Sequence, residues 1–229
     1  MLVAGVDEAG RGPCFGPMTL SIVVLEKDVE EELRVEGVKD SKEILPAKRE
    51  KLEKIILKKA EEKIVIELKP IEINDLMIHH SLNEIEAMQI AKMINKLKSK
   101  PEIIYIDSPD TLPKKFEGRI EKYLTKKNVK LRAEHKADSK YIAAGAASVL
   151  AKVARDRAIE ALAVEHGDFG SGYPSDPKTK AYLAEYVDKN KKLPPFSRIF
   201  WKTCENALAK VGQQTLGGRA YKPEKPKKK

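Results

Sequence analysis

The sequence has few cysteines and no long apolar run. Its 229 residues contain two cysteines, Cys14 and Cys204, which lie far apart in the chain. This number excludes a disulfide framework and gives no support to a cysteine-rich metal site, so a reducing compartment is expected. No segment reaches the roughly 18 apolar residues that a membrane span requires, and the N-terminus lacks the basic and apolar regions of a signal peptide. We therefore expect a cytoplasmic protein that does not enter a membrane.

Asparagine and glutamine are scarce, whereas charged residues make up 34% of the chain and many of them are lysine and glutamate. This bias is common in proteins from hot environments, where networks of ion pairs gain relative value, although a well-solvated surface would also account for it. The formal net charge is +9. The tail "YKPEKPKKK" carries five lysines and one glutamate, so it supplies +4 and leaves +5 on the rest of the chain. A basic body favours a polyanionic partner.

Five apolar segments rich in β-branched residues predict strands. The first three cover residues 2–7, 18–25 and 63–69. The fourth is "EIIYIDSPD", an apolar run that ends in Asp107, and the fifth is the shorter "NVKLRAEHKAD", which ends near Asp138. Helical patterns alternate with the later strands, so we predict an α/β fold with a mixed sheet that opens antiparallel and continues parallel.

Charge and apolar spacing predict helices between these strands. One covers residues 46–60, begins with a proline and has lysine and glutamate four residues apart. The segment "SLNEIEAMQIAKMINKLKS" has its apolar residues on one side, and Ser81 or Asn83 can cap its N-terminus. A further helix is expected over residues 113–126, and a long alanine-rich helix is expected in "KYIAAGAASVLAKVARDRAIEALAVEH".

The strand signals stop after the glycine-rich segment "HGDFGSGYPSDP". The residues after this segment are typical of helices up to about residue 212, and the end of the chain has too few apolar residues to pack. We therefore predict an α/β domain over residues 1–175, a helical C-terminal subdomain over 176–212, and a basic, disordered tail over 213–229.

Acidic residues stand at the ends of three predicted strands. Asp7 ends the first, with Glu8 beside it. Asp107 ends the fourth, and Asp138 follows the fifth. Neighbouring strand ends meet at one edge of an open α/β sheet, where ligands bind, so the four carboxylates converge if these strands are adjacent. Oxygen ligands without His or Cys suit Mg²⁺ or Mn²⁺, and two such ions about 4 Å apart promote in-line phosphoryl displacement.

One alternative to this interpretation of the acidic residues is open, and the interpretation itself requires one condition. A single aspartate at a strand end is often a helix cap or a turn former. Successive side chains of a strand also face opposite ways, so Asp7 and Glu8 can serve one site only where the backbone bends.

A glycine-arginine-glycine segment, Gly10-Arg11-Gly12, follows the acidic pair. It can be a turn that reverses the chain into the second strand. It can also be a loop without side-chain bulk, whose backbone N–H and C=O groups approach a nucleotide while Arg11 meets a phosphate. The second interpretation gains weight because the segment lies beside two acidic residues.

Together these motifs resemble a known family. The segments "GVDEAGRGP", "KDSK" over residues 39–42, "YIDSPD", "EHKADSKY" followed by "AASVLAKVARDR", and "GSGYPSDP" occur in the order found in the type 2 ribonucleases H, most closely those of archaea. The resemblance covers about residues 3–177, and its first and last segments are the most specific. It implies a ribonuclease-H-like α/β fold, with a mixed five-stranded sheet flanked by helices and a helical C-terminal extension.

The resemblance also implies an activity. We expect an endonuclease with two Mg²⁺ or Mn²⁺ ions that cleaves the RNA strand of RNA–DNA hybrids and single ribonucleotides embedded in duplex DNA, leaving 5′-phosphate and 3′-hydroxyl ends. One ion would activate a water nucleophile, and the other would stabilise the leaving 3′ oxygen. Monomers are usual in the family. Two other functions stay open: a different two-metal nuclease of the same superfamily, and a noncatalytic basic RNA-binding protein.

The functional residues of the family map onto this sequence motif by motif. The four metal-binding carboxylates correspond to Asp7, Glu8, Asp107 and Asp138. The loop that reads the ribose 2′-hydroxyl corresponds to Gly10, Arg11 and Gly12. The tyrosine that stacks on the sugar at the RNA–DNA junction corresponds to Tyr173. Positions that contact phosphate correspond to Lys42 and Lys140.

The tail carries part of a known docking pattern. Archaeal members of the family often end in a short glutamine-leucine-aromatic peptide that docks on the replication sliding clamp. Here Gln213 and Leu216 keep part of that pattern, but the pair of aromatic residues is missing and only Tyr221 stands near. Nonspecific binding of the lysine-rich tail to nucleic-acid phosphate is the favoured expectation, and clamp docking is the alternative.

Overall fold

The chain folds into strands and helices that alternate in its middle part. The computed structural model describes residues 1–38, 44–126 and 128–215. The strands are β1 (Leu2–Ala9), β2 (Met18–Glu26), β3 (Glu62–Leu68), β4 (Ile103–Asp107) and β5 (Leu131–Glu134). The helices are α1 (Val29–Val35), α2 (Pro46–Lys59), α3 (Pro70–Met77), α4 (Leu82–Lys96), α5 (Pro113–Glu121), α6 (Ala137–Lys140), α7 (Ile142–His166), α8 (Pro177–Asn190) and α9 (Lys202–Thr215). Within these ranges, no helix combines the length and apolar character needed to cross a membrane.

The strands form one mixed sheet in the order β3-β2-β1-β4-β5. β1 pairs antiparallel with β2 and parallel with β4, and β4 pairs parallel with β5. The predicted five-stranded mixed sheet, antiparallel at its start and parallel in its continuation, is confirmed. β1 lies at the centre, and its apolar residues Val3, Ala4 and Val6 are fully buried, as expected for a strand that is covered on both faces.

The C-terminal ends of β1, β4 and β5 lie at one edge of this sheet. Val6 pairs with Ile106, so the residues that follow them, Asp7 and Asp107, come next in the two strands. Asp107 pairs in turn with Glu134, the last residue of β5. The register therefore gathers carboxylates from distant parts of the sequence at the edge where open α/β sheets bind ligands.

Helix α7 lies directly on β1. A Cβ atom added to Gly5 would lie 2.0 Å from the backbone carbon of Ala143 and 2.0 Å from the backbone nitrogen of Ala144. The close approach therefore requires glycine at this position of the strand. The helix contributes small residues to the same contact, since its first turns read "IAAGAAS".

Buried hydroxyl groups of β2 bind the same helix. Thr19 Oγ1 donates to the Ala151 carbonyl at 2.7 Å, and Ser21 Oγ donates to the Ala147 carbonyl at 3.0 Å. Because both side chains are fully buried, these bonds satisfy hydroxyl groups whose desolvation would otherwise cost free energy. The apolar core around this contact includes Val3, Val23, Leu25, Ala146, Val149, Leu150 and Val153.

The chain forms two compact units. The first comprises Met1–Ala9, Met18–Glu67 and Ser81–Asp156. The second comprises Gly10–Pro17, Leu68–His80 and the described residues from Arg157 onward. The predicted division into residues 1–175, 176–212 and 213–229 follows sequence order and stays a prediction.

The second unit has an aromatic core. Phe15 packs edge-on against Phe169 and Phe196, with ring centroids 5.7 and 5.2 Å apart. Cys14 and Cys204 lie in the same core as free thiols. Because Cys14 and Phe15 come shortly after the Gly-Arg-Gly loop, this core fixes the C-terminal end of the loop.

The ends of two helices depend on side-chain hydrogen bonds. Ser81, and not Asn83, caps α4, because its Oγ accepts from the Glu84 N–H at 3.3 Å. Helix α5 ends at Glu121, short of the predicted residue 126. Asn95 of α4 binds the segment after α5 through the Tyr123 carbonyl and the Thr125 N–H, both at 2.9 Å, and these bonds replace helical ones.

Strand β5 is shorter than predicted and ends four residues before Asp138. Lys136 has a left-handed backbone conformation, with φ of 58°, which ends the extended chain. The next residues, Ala137–Lys140, form α6. Asp138 therefore lies in the first turn of a short helix and not at the end of a strand.

Replacing Gly5 by alanine tests the packing of α7 on β1. The new Cβ would overlap backbone atoms of Ala143 and Ala144, so we expect Gly5→Ala to lower the free energy of unfolding by about 3 kcal/mol or more. Denaturant unfolding measures this change. Gly118→Ala in α5 is the control, because nothing lies within 4 Å of a Cβ at that position and alanine there should stabilise the protein by about 0.5–1 kcal/mol. Wild-type stability of Gly5→Ala would contradict the close packing.

Candidate active site

Three carboxylates converge at the sheet edge of the first unit. Oxygen atoms of Asp7, Glu8 and Asp107 all lie within 4.8 Å of one another. Asp7 is buried, and the other two are partly buried. β1 runs on to Ala9, so the strand does not end at Asp7 as predicted. Adjacent residues inside the strand nevertheless present oxygens to one place.

Backbone N–H groups orient two of these carboxylates. Asp7 Oδ1 accepts from the N–H of Glu8 at 2.8 Å. Asp107 Oδ1 accepts from the N–H of Ala137 at 2.7 Å, which joins the end of β4 to the start of α6. Both bonds restrict the rotation of a carboxyl group and so limit the directions in which its oxygens can bind a ligand.

Asp138 lies close to the three carboxylates. It is buried in α6, and its Oδ1 accepts from Ser139 Oγ at 3.3 Å. Among the described residues, the group within 4.8 Å contains Asp7, Glu8 and Asp107 and does not include Asp138. Its negative charge is nevertheless near enough to help raise the pKa of Asp7. The structure thus brings three of the predicted ligands together and places the fourth in their electrostatic range.

The pKa of Asp7 lies well above its usual range. Burial is the largest cause, and the negative charges of Glu8, Asp107 and Asp138 add to it. A hydrogen bond with Ser148 acts in the opposite direction. Burial and like charges both disfavour an ionised carboxylate, and a divalent cation would offset the excess negative charge. Carboxylate oxygens are the donors that Mg²⁺ and Mn²⁺ prefer, so these residues fit a divalent metal ion.

Glu134 lies beside these residues and was not singled out by the sequence patterns. Its carboxylate accepts hydrogen bonds from Lys140 Nζ (2.6 Å), Tyr141 Oη (2.8 Å) and Arg132 Nε (2.6 Å). These three bonds lower the pKa of Glu134 to about 2, so the group stays ionised at neutral pH. The predicted phosphate contact Lys140 is thereby held at the end of β5. The signal in the sequence is that Glu134 is the first residue of the motif "EHKADSKY", which also contains Asp138 and Lys140.

The Gly-Arg-Gly loop and Tyr173 meet in the second unit. A Cβ atom at Gly12 would lie 3.5 Å from Tyr173 Cε1, so the tyrosine ring lies against the backbone of the loop. The Gly172 carbonyl accepts from the N–H of Cys14 at 2.9 Å. Gly10 has φ of +83°, a conformation that favours glycine. The structure therefore brings together the loop and the tyrosine that the sequence motifs singled out separately.

Two residues that the sequence motifs did not indicate as functional fix the turn around Tyr173. Asp176 accepts from the N–H and the Oγ of Ser171, both at 2.7 Å, and it also caps α8. The bonds with Ser171 contribute most to lowering the pKa of Asp176 to about 2. Thr179 Oγ1 accepts from the Gly172 N–H at 3.0 Å. The signal in the sequence is the Asp-Pro pair of "GSGYPSDP", which is typical of a helix start.

Some predicted contacts lie outside the described part of the chain. Lys42 is one of them, together with the other residues of "KDSK" over 39–42. The tail from residue 216 onward, including Leu216 and Tyr221, is likewise outside the described ranges. These predictions stay predictions.

Comparison with known proteins identifies one family. A family model described as Ribonuclease HII matches residues 4–204. The Ribonuclease HII of Pyrococcus abyssi is 48% identical over 216 residues, which cover 94% of this chain and 95% of that protein. The crystal structure of ribonuclease H2 from Pyrococcus horikoshii superposes with a TM-score of 0.87 at 44% identity and covers 93% of this chain and 100% of that one. A PCNA:RNase HII complex from Archaeoglobus fulgidus gives a TM-score of 0.81 at 40% identity, with coverage of 90% and 96%.

These comparisons agree with the mixed sheet and with the resemblance seen in the motifs. The relatives match over nearly their whole length, so the likeness includes both compact units. The family consists of metal-dependent ribonucleases, which are hydrolases, and the acidic group at the sheet edge fits that chemistry. This chain belongs to the ribonuclease HII family.

Proposed function

We propose that the chain hydrolyses the RNA strand of RNA–DNA hybrids and cleaves at single ribonucleotides embedded in duplex DNA, leaving 5′-phosphate and 3′-hydroxyl ends. The observation that carries the proposal is the group of three carboxylates within 4.8 Å at the sheet edge. Membership in the ribonuclease HII family favours this function over another two-metal nuclease and over noncatalytic RNA binding.

Two divalent ions, either Mg²⁺ or Mn²⁺, would be held by Asp7, Glu8, Asp107 and Asp138. When bound, such ions lower the pKa of an attacking water and stabilise the leaving 3′ oxygen. The chain's own contribution is to fix the ligands before substrate arrives. The N–H groups of Glu8 and Ala137 orient two carboxylates, and the burial of Asp7 lowers the local dielectric, which strengthens its interaction with a cation.

The Gly-Arg-Gly loop and Tyr173 would recognise the ribonucleotide. Backbone N–H and C=O groups of Gly10, Arg11 and Gly12 can hydrogen-bond a ribose 2′-hydroxyl whatever base is attached, and this hydroxyl distinguishes RNA from DNA. The partly exposed ring of Tyr173 beside Gly12 offers a flat face to the sugar at the RNA–DNA junction. Their proximity supports a single recognition element for the ribose.

Two lysines would contact the substrate phosphates. Lys140 is half-exposed and forms an ion pair with Glu134 at 2.6 Å. This pair fixes the ammonium group on the strand that neighbours β4, while the remaining N–H donors of Lys140 can bind a phosphate. Lys42 would add a second contact by its place in the family motif.

The tail would bind nucleic acid without sequence preference. Its five lysines in "YKPEKPKKK" suit contacts with phosphate. Docking on the sliding clamp is the alternative, since the Archaeoglobus relative was solved in complex with PCNA. Gln213 and Leu216 keep part of a clamp-binding pattern without its aromatic pair.

Asp107→Asn tests the metal site. Asparagine keeps the shape of the side chain and an oxygen that can accept from the Ala137 N–H, so we expect the variant to fold normally. Loss of one anionic ligand should lower the cleavage rate at least about 10²-fold. The rate is measured in single turnovers on one duplex with, and without, a lone ribonucleotide, and Mn²⁺ binding is measured separately by calorimetry.

Asp156→Asn is the matched control for this variant. It changes a carboxylate of the same unit that pairs with Arg49 at 2.7 Å and lies outside the acidic group. Cleavage and Mn²⁺ affinity should stay near those of the wild type. Near-full cleavage by Asp107→Asn would contradict the proposed site, and efficient cleavage of an all-DNA branched duplex would favour a different two-metal nuclease.

Tyr173→Ala tests junction stacking. Removing the ring should cost about 1 kcal/mol, or roughly fivefold in kcat/KM, at a single ribonucleotide in duplex DNA. The loss should be smaller within a long hybrid, where a junction is not required. Tyr186→Ala, which removes a ring from α8 of the same unit, should affect both substrates little. Equal losses of Tyr173→Ala on the two substrates would refute the stacking role.

Removing residues 216–229 tests the tail. At low salt, the shortened protein should bind duplex DNA more weakly than the full chain. The slope of log K against log salt should become less steep by about one for each phosphate contact that the deletion removes. Leu216→Ala is the matched control, because it alters the clamp-binding pattern and keeps all five lysines. Loss of affinity for an archaeal PCNA in both variants, with an unchanged salt slope, would contradict nonspecific binding and support clamp docking.

A further inference from the structure

A buried arginine binds the backbone of the Gly-Arg-Gly loop. Arg198 is fully buried in the second unit. Its guanidinium donates from Nη1 to the Arg11 carbonyl at 3.1 Å and from Nε to the Gly16 carbonyl at 3.0 Å. Burying a charged group costs much free energy unless it is hydrogen-bonded, and the carbonyls of residues 11 and 16 supply these bonds. The loop and the arginine therefore stabilise each other.

Trp201 binds the next carbonyl of the same loop. Its Nε1–H donates to the Gly12 carbonyl at 3.1 Å. The guanidinium carbon of Arg198 lies 4.9 Å from the centroid of the tryptophan ring, which is a cation–π distance. Two consecutive carbonyls, those of Arg11 and Gly12, are thus held by two side chains that also contact each other.

The segment that carries both side chains is itself fixed. The N–H of Arg198 donates to the Cys14 carbonyl at 2.8 Å. Asn74 of α3 donates from Nδ2 to the Ser197 carbonyl and accepts at Oδ1 from the Ile199 N–H, both at 3.0 Å. Arg198 therefore projects from a backbone that is bonded on either side, which limits how far its side chain can shift.

Fixing these carbonyls also fixes N–H groups. In a planar trans peptide, the N–H of the next residue points opposite to the C=O. The bond from Arg198 to the Arg11 carbonyl therefore directs the N–H of Gly12 away from the arginine. A loop with two glycines has wide conformational freedom when it is not held. If the N–H of Gly12 had to be ordered when substrate binds, the cost in conformational entropy would weaken the binding of substrate.

We propose that Arg198 and Trp201 are positioning residues, which hold the Gly-Arg-Gly loop in the conformation that binds a ribose 2′-hydroxyl. This inference rests on the proposed function, because that function gives the loop its role in recognising the ribonucleotide. Both side chains act through the loop backbone. Their loss should therefore reduce the preference for a 2′-hydroxyl and leave metal affinity unchanged.

Trp201→Phe tests the inference with little change in packing. It removes the Nε1–H donor and keeps an aromatic ring beside Arg198. We expect kcat/KM at a lone ribonucleotide in duplex DNA to fall about fivefold or more. The decisive measurement replaces the scissile 2′-hydroxyl by fluorine. The loss caused by this replacement should be about fivefold smaller in the variant than in the wild type, because part of the hydroxyl interaction is already gone. Equal losses in the two proteins would overturn the proposal.

Arg198→Lys gives a second test. Lysine keeps the positive charge but cannot donate to the Arg11 and Gly16 carbonyls with the fixed fork of a guanidinium. The preference for the 2′-hydroxyl should fall further than in Trp201→Phe, while Mn²⁺ affinity stays at the wild-type value. A fall in Mn²⁺ affinity with an unchanged hydroxyl preference would overturn the positioning role. If Arg198→Lys does not fold, Trp201→Phe decides alone.

An NMR measurement makes the test independent of cleavage. The backbone order parameter of Gly12 should fall from near 0.85 to below about 0.6 in Trp201→Phe. Leu183→Ala is the control, because it removes packing from the buried core of the same unit. It should lower the melting temperature and leave both the Gly12 order parameter and the hydroxyl preference unchanged.

The outcomes separate the inference from the proposed function. An unchanged Gly12 order parameter in Trp201→Phe would overturn the positioning role even where the wild type cleaves hybrids as proposed. A wild-type enzyme that is indifferent to replacement of the 2′-hydroxyl would overturn the proposed function, and this inference with it.

Discussion

Mutual repulsion among buried and partly buried carboxylates is the constraint on which the rest of the site depends. Burial and the charges of Glu8, Asp107 and Asp138 raise the pKa of Asp7, so a flexible chain would move these groups apart. The sheet resists this movement because Asp7 and Asp107 belong to paired strands. Helix α7 adds rigidity where it lies on β1 at Gly5. A fold held together in this way can keep an excess of negative charge in place until a divalent cation offsets it.

The two compact units carry different parts of the proposed reaction. The first holds the acidic group on the sheet, and the second holds the Gly-Arg-Gly loop and Tyr173. The chain passes from one unit to the other between Ala9 and Gly10, so a carboxylate pair and the recognition loop are separated by a single residue in the sequence.

Much of the fold was predictable because it depends on local patterns. Strand periodicity, proline at helix starts and an acid at the end of β4 all appear in a few consecutive residues, and the structure agrees with them. The end of β5 was predicted too late, near Asp138, because the left-handed backbone of Lys136 ends the extended chain early, which no local preference of lysine indicates. Glu134 and Arg198 were missed for a different reason. Their roles arise from bonds to partners brought together by folding, and the bond from Arg198 to the Arg11 carbonyl spans 187 residues.

The contacts of Arg198 show why selectivity can depend on residues that never appear in a catalytic motif. A buried guanidinium requires acceptors, and in this unit the backbone carbonyls of Arg11, in the Gly-Arg-Gly loop, and of Gly16 act as acceptors. The same bonds therefore stabilise the second unit and order the loop, so a sequence that keeps these two bonds also keeps the loop in one conformation. The strand that carries Asp7 and Glu8 packs on a different core, which includes residues of β1, β2, α1, α2 and α7. The stability of the proposed metal ligands and the order of the Gly-Arg-Gly loop thus depend on separate sets of contacts, and mutations can alter one without altering the other.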